Sequence, residues 1–378
     1  MTRFLWRAGL MVLVAMLVLP HLGSAADAFL REDVTSAFAC QAGEDRIVGL
    51  SNAAQSDLLA PPRRDGAPAD VDLGLHMEYL HSISETDHSF TLEAFVELIW
   101  CDPRLAFAAG ETGEVRRIFL EEAVLRKFQA MWWPDLYFVN SSGPPVIERQ
   151  ELIIFPDGTV VYEERVRVSL KSKLDLTQFP FDRQKLEIEM ESFAWPAHEM
   201  ALHLDSEKTG LADVFNTPPW RVINYKAEVR SRREIRDRDA FSEFVMEVET
   251  ARIAMPFVYR LMIPLVLVVM ASWSVFWLRP TSTGRVGVTF TAILTVVAFN
   301  FIVTGKLPSV PELTYLEALF GISFLLLLLV VVENTVVDYL TGADRLQAVA
   351  RTDRISRVLF PLLYVIGIAL VTTAFGII

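Results

Sequence analysis

The feature that most constrains this chain is in its last third. Residues 256–278, 286–304, 315–337 and 358–378 are four apolar segments joined by short connections, each about long enough to cross a ~30 Å hydrocarbon layer. Most of the charge lies between residues 27 and 255, so a water-soluble domain precedes the membrane domain. The averages reflect that split. The chain is 52% hydrophobic and 22% charged, and its mean hydropathy of +0.34 is too high for an ordinary soluble protein. A net charge of −12 argues against a nucleic-acid partner. Two cysteines, Cys40 and Cys101, exclude a disulfide-dense scaffold and a four-cysteine zinc site.

Residues 1–26 carry Arg3 and Arg7, an apolar run to Leu19, and small residues at Ser24, Ala25 and Ala26. These are the parts of a secretory signal peptide; an uncleaved membrane helix is the other reading. In an exported domain Cys40 and Cys101 can pair or remain two buried thiols. Residues 27–70 end in a Pro- and Arg-rich stretch that reads as an N-terminal extension and linker.

Residues 71–254 read as antiparallel β-structure. Phe90, Leu92, Ala94, Val96, Leu98 and Trp100 alternate with Glu93 and Glu97. The same period of two recurs at Val166/Val168/Leu170, Leu186/Ile188/Met190 and Phe244/Met246/Val248, each set alternating with charged residues. Phe155-Pro156-Asp157-Gly158 is a hairpin turn. One wet face per sheet over about 180 residues predicts a β-sandwich. No phosphate loop, nucleophile elbow or zinc spacing is present, and His76, His81 and His88 read as solvated. No enzyme activity and no cofactor are expected.

Arginines at 279 and 285, and at 345, 351, 354 and 357, lie in the connections after the first and third spans. Positive loops stay inside, so the β-domain and the C-terminus are predicted outside. The second span of residues 255–378 is the unusual one. At helical spacing Thr283, Gly287, Thr291, Leu294, Ala298, Phe301 and Gly305 share a stripe, small or hydroxylated at one end and apolar at the other. Around a symmetry axis that stripe would line a pore, with Leu294 as the constriction. In a single bundle the same hydroxyls would bond back to their own turn.

Motifs in a fixed order bear on this choice. They are Trp132–Asn140 (WWPDLYFVN), Phe155–Tyr162 (FPDGTVVY), Phe179-Pro180-Phe181-Asp182 (FPFD), Pro264 and Ser272–Leu278 (SWSVFWL). Ala298-Phe299-Asn300, Leu307-Pro308, Val332-Glu333, Asp338-Tyr339-Leu340 and Arg354-Ile355-Ser356-Arg357 before Phe360-Pro361 follow. From about residue 70 onward the chain resembles the pentameric ligand-gated ion channels of the Cys-loop receptor superfamily, most closely their bacterial proton-gated branch. The cysteine positions that close the loop around FPFD in eukaryotic members hold Ser172 and Leu186 here, which excludes that disulfide.

The resemblance implies a β + α fold: an extracellular antiparallel β-sandwich followed by a four-helix transmembrane bundle, assembled as a homopentamer. Its partners would be four identical subunits, the lipid bilayer, permeant inorganic ions and a proton or small-molecule agonist. It would reside as a multi-pass protein in a bacterial inner membrane, with the N-terminal domain in the periplasm. Gating coupling maps to Glu85, Asp182 and Arg252 with Lys306 and Pro308 of the following linker. Ligand-binding positions map to Phe95, Phe138, Val139, Phe193, Tyr225, Arg232, Arg233 and Phe241. The proton-sensing acid of the bacterial relative falls at His88, a residue type that titrates near neutral pH.

Two questions stay open within that family. Val139 leaves an aromatic cage incomplete, and five arginines at 230, 232, 233, 236 and 238 suit a carboxylate, so protons and a small carboxylate are both candidate agonists. At the inner mouth, Gly284 and Arg285 stand where cation channels of the family carry acids, which leans toward anions, with a cation-selective proton-gated channel as the alternative. Outside the family, a non-conducting sensor would need a larger inner domain than residues 341–357. A membrane enzyme would need ionisable groups in its spans, where only Glu333 lies deep.

Overall fold

The computed structural model describes residues 40, 57–62, 66–108, 115–212, 216–217, 219–233, 239–279, 283–304 and 312–377. The proposed signal segment, most of the N-terminal extension, the tip of the arginine-rich hairpin, and Gly305, Lys306 and Pro308 lie outside them. The chain divides into two compact units: residues 1–71, 99–133 and 151–162, and residues 72–98, 134–150 and 163–378.

Twelve strands are described: β1 (Ala69–Ser84), β2 (Ser89–Cys101), β3 (Arg117–Leu120), β4 (Leu136–Phe138), β5 (Val146–Ile154), β6 (Thr159–Lys171), β7 (Arg183–Ser192), β8 (Met200–Leu204), β9 (Gly210–Leu211), β10 (Asn216–Thr217), β11 (Trp220–Arg232) and β12 (Phe241–Arg252). One sheet runs β3-β5-β6-β2-β1-β8, with β9 beside β1; the other runs β10-β11-β12-β7-β4. The alternating residues face inward as their period requires. Leu92, Ala94, Val166, Leu170, Leu186, Ile188, Met190, Phe244, Met246 and Val248 are buried, and their apolar area drives the sandwich together.

In the first unit, Cys40 and Cys101 form a disulfide with their Cα atoms 5.6 Å apart, which settles the choice between a bond and two thiols. The Cys40 amide donates to Asp157 Oδ2 at 3.2 Å in the β5–β6 turn. Gly158 takes φ +90° there, and a Cβ would meet the Asp102 carbonyl oxygen at 2.5 Å, so the turn needs glycine. Helix α1 (Glu122–Phe128) buries Val124, and Phe128 stacks on Trp133 at 4.3 Å.

In the second unit β12 leads into α2 (Met255–Trp277), followed by α3 (Thr283–Thr304), α4 (Tyr315–Gly342) and α5 (Leu346–Ala374). All four are long and apolar enough to cross a membrane. Helix α2 widens by one residue per turn at Val258–Met262, just before Pro264, where the imino nitrogen has no hydrogen to donate. Helix α5 starts at Leu346, twelve residues before the apolar segment, so the connection read as loop to Arg357 is mostly helix. Its charges hid it from hydropathy, while Leu346–Ala350 holds no breaker.

Candidate functional site

At the junction of sheet and helices, Asp182 of the FPFD turn and Arg252 at the end of β12 are both buried. Arg252 Nε donates to Asp182 Oδ1 at 2.7 Å and Nη2 to Oδ2 at 3.2 Å, while Nη1 donates to Glu85 Oε1 at 2.8 Å. The Gln184 amide donates to Asp182 Oδ2 at 2.7 Å. The guanidinium also lies 4.1 Å from the Trp220 ring centre and 4.8 Å from that of Phe179. A planar cation held in a fork and stacked on aromatic faces can tolerate such burial. Three of the four charges assigned to coupling, Glu85, Asp182 and Arg252, thus meet. His88 lies exposed in the same β1–β2 turn as Glu85, with φ +48°.

The FPFD turn is tied to the helices as well. Phe179 joins the helical core around Leu265, Val296, Leu316 and Phe320. The Tyr315 amide donates to the Thr177 carbonyl at 2.8 Å, and Gln178 Nε2 to the Phe375 carbonyl at 3.0 Å. Where the eukaryotic disulfide is missing, Ser172 Oγ donates to the Lys185 carbonyl at 3.0 Å.

Of the ligand-binding positions, Phe193 is 76% exposed, and its ring meets Tyr137 edge-on at 5.8 Å. Phe138 is buried, so this position belongs to the core. Tyr137, whose hydroxyl donates to Glu191 Oε1 at 2.8 Å, is the outward aromatic. The alternation of Leu136 and Phe138 about Tyr137, with Tyr137 opposite Glu191, was the signal that could have found it. Val139 is half-buried and bonded through its amide to the Glu189 carbonyl. Tyr225 points from the other face of β11 than Arg232, since it pairs with Val248 while Arg232 pairs with Phe241; its hydroxyl donates to the Thr209 carbonyl at 3.2 Å.

Two of the five hairpin arginines, Arg230 and Arg232, are already engaged by acids, and Arg236 and Arg238 lie outside the described residues. Arg232 Nη1 pairs with Glu243 and, at 3.1 Å, with Glu189; Arg230 Nε pairs with Glu243 at 2.6 Å. Hydrogen bonding to Glu243 holds both guanidinium groups above their ordinary pKa. Arg233 is exposed.

Phe95 lies on the other sheet, its ring centre 5.6 Å from Arg165. Arg165 and Arg167 share Glu93 and Glu148, and His81 Nε2 lies 2.9 Å from Glu93. Burial pushes the Glu93 carboxyl up, but the His81 hydrogen bond and the charges of Arg165 and Arg167 outweigh it and hold it below the usual range.

On α3, Gly287, Thr291, Leu294, Ala298 and Phe301 are all exposed, Leu294 by 69%, while Arg285, Thr289, Ala292 and Val296 are buried on the opposite side. The hydroxyls of Thr291 and Thr295 bond back to their own turns at 2.8 Å. The side chain of Thr283 lies outside the described residues. Gly284 is exposed. The inner-mouth role expected for Arg285 needs correction. Its side chain turns into the bundle, where Nη2 meets Asp353 Oδ1 at 2.9 Å and Glu333 Oε2 at 3.2 Å. A guanidinium 2% exposed and flanked by two acids presents no positive ring.

A receptor-type β-sandwich bonded through a charged turn to four membrane-length helices defines the class. The sequence profile of the neurotransmitter-gated ion-channel ligand binding domain matches residues 51–253, and the chain belongs to that family of ligand-gated ion channels. It is 26% identical over 307 residues to a proton-gated ion channel of Gloeobacter violaceus, covering 81% of this chain and 83% of that protein. It is 29% identical over 317 residues to the human gamma-aminobutyric acid receptor subunit rho-3, covering 80% of this chain. A receptor beta subunit of Lymnaea stagnalis is 24% identical over 316 residues. The chain spans 65% and 63% of the length of those two receptor subunits.

Proposed function

We propose that five copies of this chain form an acid-sensitive ion channel whose pore is lined by the exposed stripe of α3. The observation that carries this reading is the two-sidedness of that helix: a stripe running Gly287, Thr291, Leu294, Ala298, Phe301 is left uncovered while its opposite side is packed. A lone helix with Leu294 and Phe301 bare needs an axis to face, and a ring of Leu294 side chains gates by dewetting. The β-domain then faces the periplasm of a bacterial inner membrane, with the arginines of the short connections inside.

Protons are favoured over a carboxylate because Arg230 and Arg232 are already engaged by Glu189 and Glu243. His88 shares a turn with Glu85, which grips Arg252, so charging it would bias the coupling cluster. One matched relative is itself a proton-gated ion channel. Phe95 lies on β2 of one sheet and Phe193 directly follows β7 of the other, so an agonist between subunits would meet one from each. With Arg285 withdrawn, the lean toward anions rests on the lack of acids at Thr283 and Gly284.

The test is current in oocytes expressing the chain, with external pH stepped from 7.5 to about 4.5 and chloride exchanged for a large anion. Acid should open a current whose reversal follows chloride. A current indifferent to chloride would support the cation-selective reading, and silence throughout would defeat proton gating.

A further inference from the structure

The withdrawn Arg285 has a role of its own. Its Nε donates to Asn334 Oδ1 at 3.0 Å, and Nη2 reaches both Glu333 and Asp353. Asn334 Nδ2 in turn donates to Thr289 Oγ1 at 2.9 Å, and Thr289 back-bonds to the Arg285 carbonyl at 3.0 Å. The five residues are each less than a tenth exposed. They come from three helices: Arg285 and Thr289 from α3, Glu333 and Asn334 from α4, and Asp353 from the charged first turns of α5.

We infer that Arg285 is a positioning residue that fixes the rotation of α3 about its own axis. The inference rests on the pore assignment above. Arg285 and Thr289 stand one turn apart on the same side, and Asn334 spans the two, so α4 holds both the azimuth and the height of α3. Asp353 adds a partner from α5. Because the fork of a guanidinium satisfies its acceptors only in one orientation, turning α3 would strip partners from buried charges. The buried row Arg285, Thr289, Ala292, Val296 and the bare row through Thr291 are therefore set by one grip. The surface of α5 facing the inner end of the bundle thereby reaches the pore without touching it.

Single introduced cysteines read this directly, since both native cysteines are in the disulfide. In the full channel, Thr291→Cys should react rapidly with a water-borne thiol reagent, while Ala292→Cys, 100° further round, stays protected. In an Asp353→Asn background Ala292→Cys should react at least about tenfold faster, as the loss of one partner of a buried ion pair readily shifts a helix orientation that far. Exchanging the charges, Arg285→Asp with Asp353→Arg, should restore protection. If Ala292→Cys stays protected in Asp353→Asn, or the exchange restores nothing, the inference is wrong. Should Asp353→Asn fail to reach the membrane, Arg285→Lys keeps the charge but loses the fork; continued protection there overturns it equally. An unreactive Thr291→Cys in the parent would sink the pore assignment, and this inference with it.

Discussion

Two clusters in this chain have the same formula, one arginine between two carboxylates, and different settings. Arg252 joins Asp182 and Glu85 where the sheets meet the helices; Arg285 joins Glu333 and Asp353 among the helices. In the first, Asp182 is sealed but the Glu85 side chain keeps a quarter of its surface in water and sits on a turn. In the second, no partner is more than about a tenth exposed. A charge whose partner can exchange with water costs little to release, whereas one sealed among helices must keep its partners or pay several kcal/mol. The first suits a contact remade during gating and the second a contact that stays.

The largest effects should come from breaking the sealed bonds. Asp182→Ala leaves Arg252 buried without its fork, and Arg285→Met leaves Glu333 and Asp353 facing each other; each should cost ~3–5 kcal/mol, read as loss of assembled protein at the surface or as a lowered unfolding midpoint in detergent. If either variant unfolds like the parent, the seal is weaker than its geometry. Glu85→Gln should express normally and move the half-maximal agonist concentration about fivefold or more; an unchanged dose–response would remove Glu85 from coupling. Smaller again is Glu93→Gln. The lowered pKa of Glu93 means its ion pairs stabilise the fold above the usual carboxylate range and are lost as pH falls through the lowered value. Between pH 5 and 3 the parent should therefore lose about 2–4 °C of Tm more than the variant; equal slopes would contradict the pairing.

The strands and spans were legible because burial imposes a period that the residues obey: Leu186, Ile188 and Met190 face inward as their alternation requires. The meeting of Glu85, Asp182 and Arg252 was legible only through the ordered motifs, since the three are far apart in sequence. Arg285 was misread for a physical reason. Helical spacing tells which residues share a side of α3, and 285 falls off the stripe, but only tertiary contacts with Glu333 and Asp353 reveal that its charge is spent inward. Tyr137 was hidden by its neighbour Phe138, although the parity of β4 already separated them. The first turns of α5 escaped because a charged helix leaves no trace in hydropathy.

The bond between Cys40 and Cys101 closes a covalent ring that contains the β1–β2 turn with Glu85 and His88. A protease that cuts this exposed turn would not free the N-terminal piece. The two fragments would travel as one molecule on a non-reducing gel and part only after a thiol reductant is added, so a nicked receptor keeps all its strands tethered to one another.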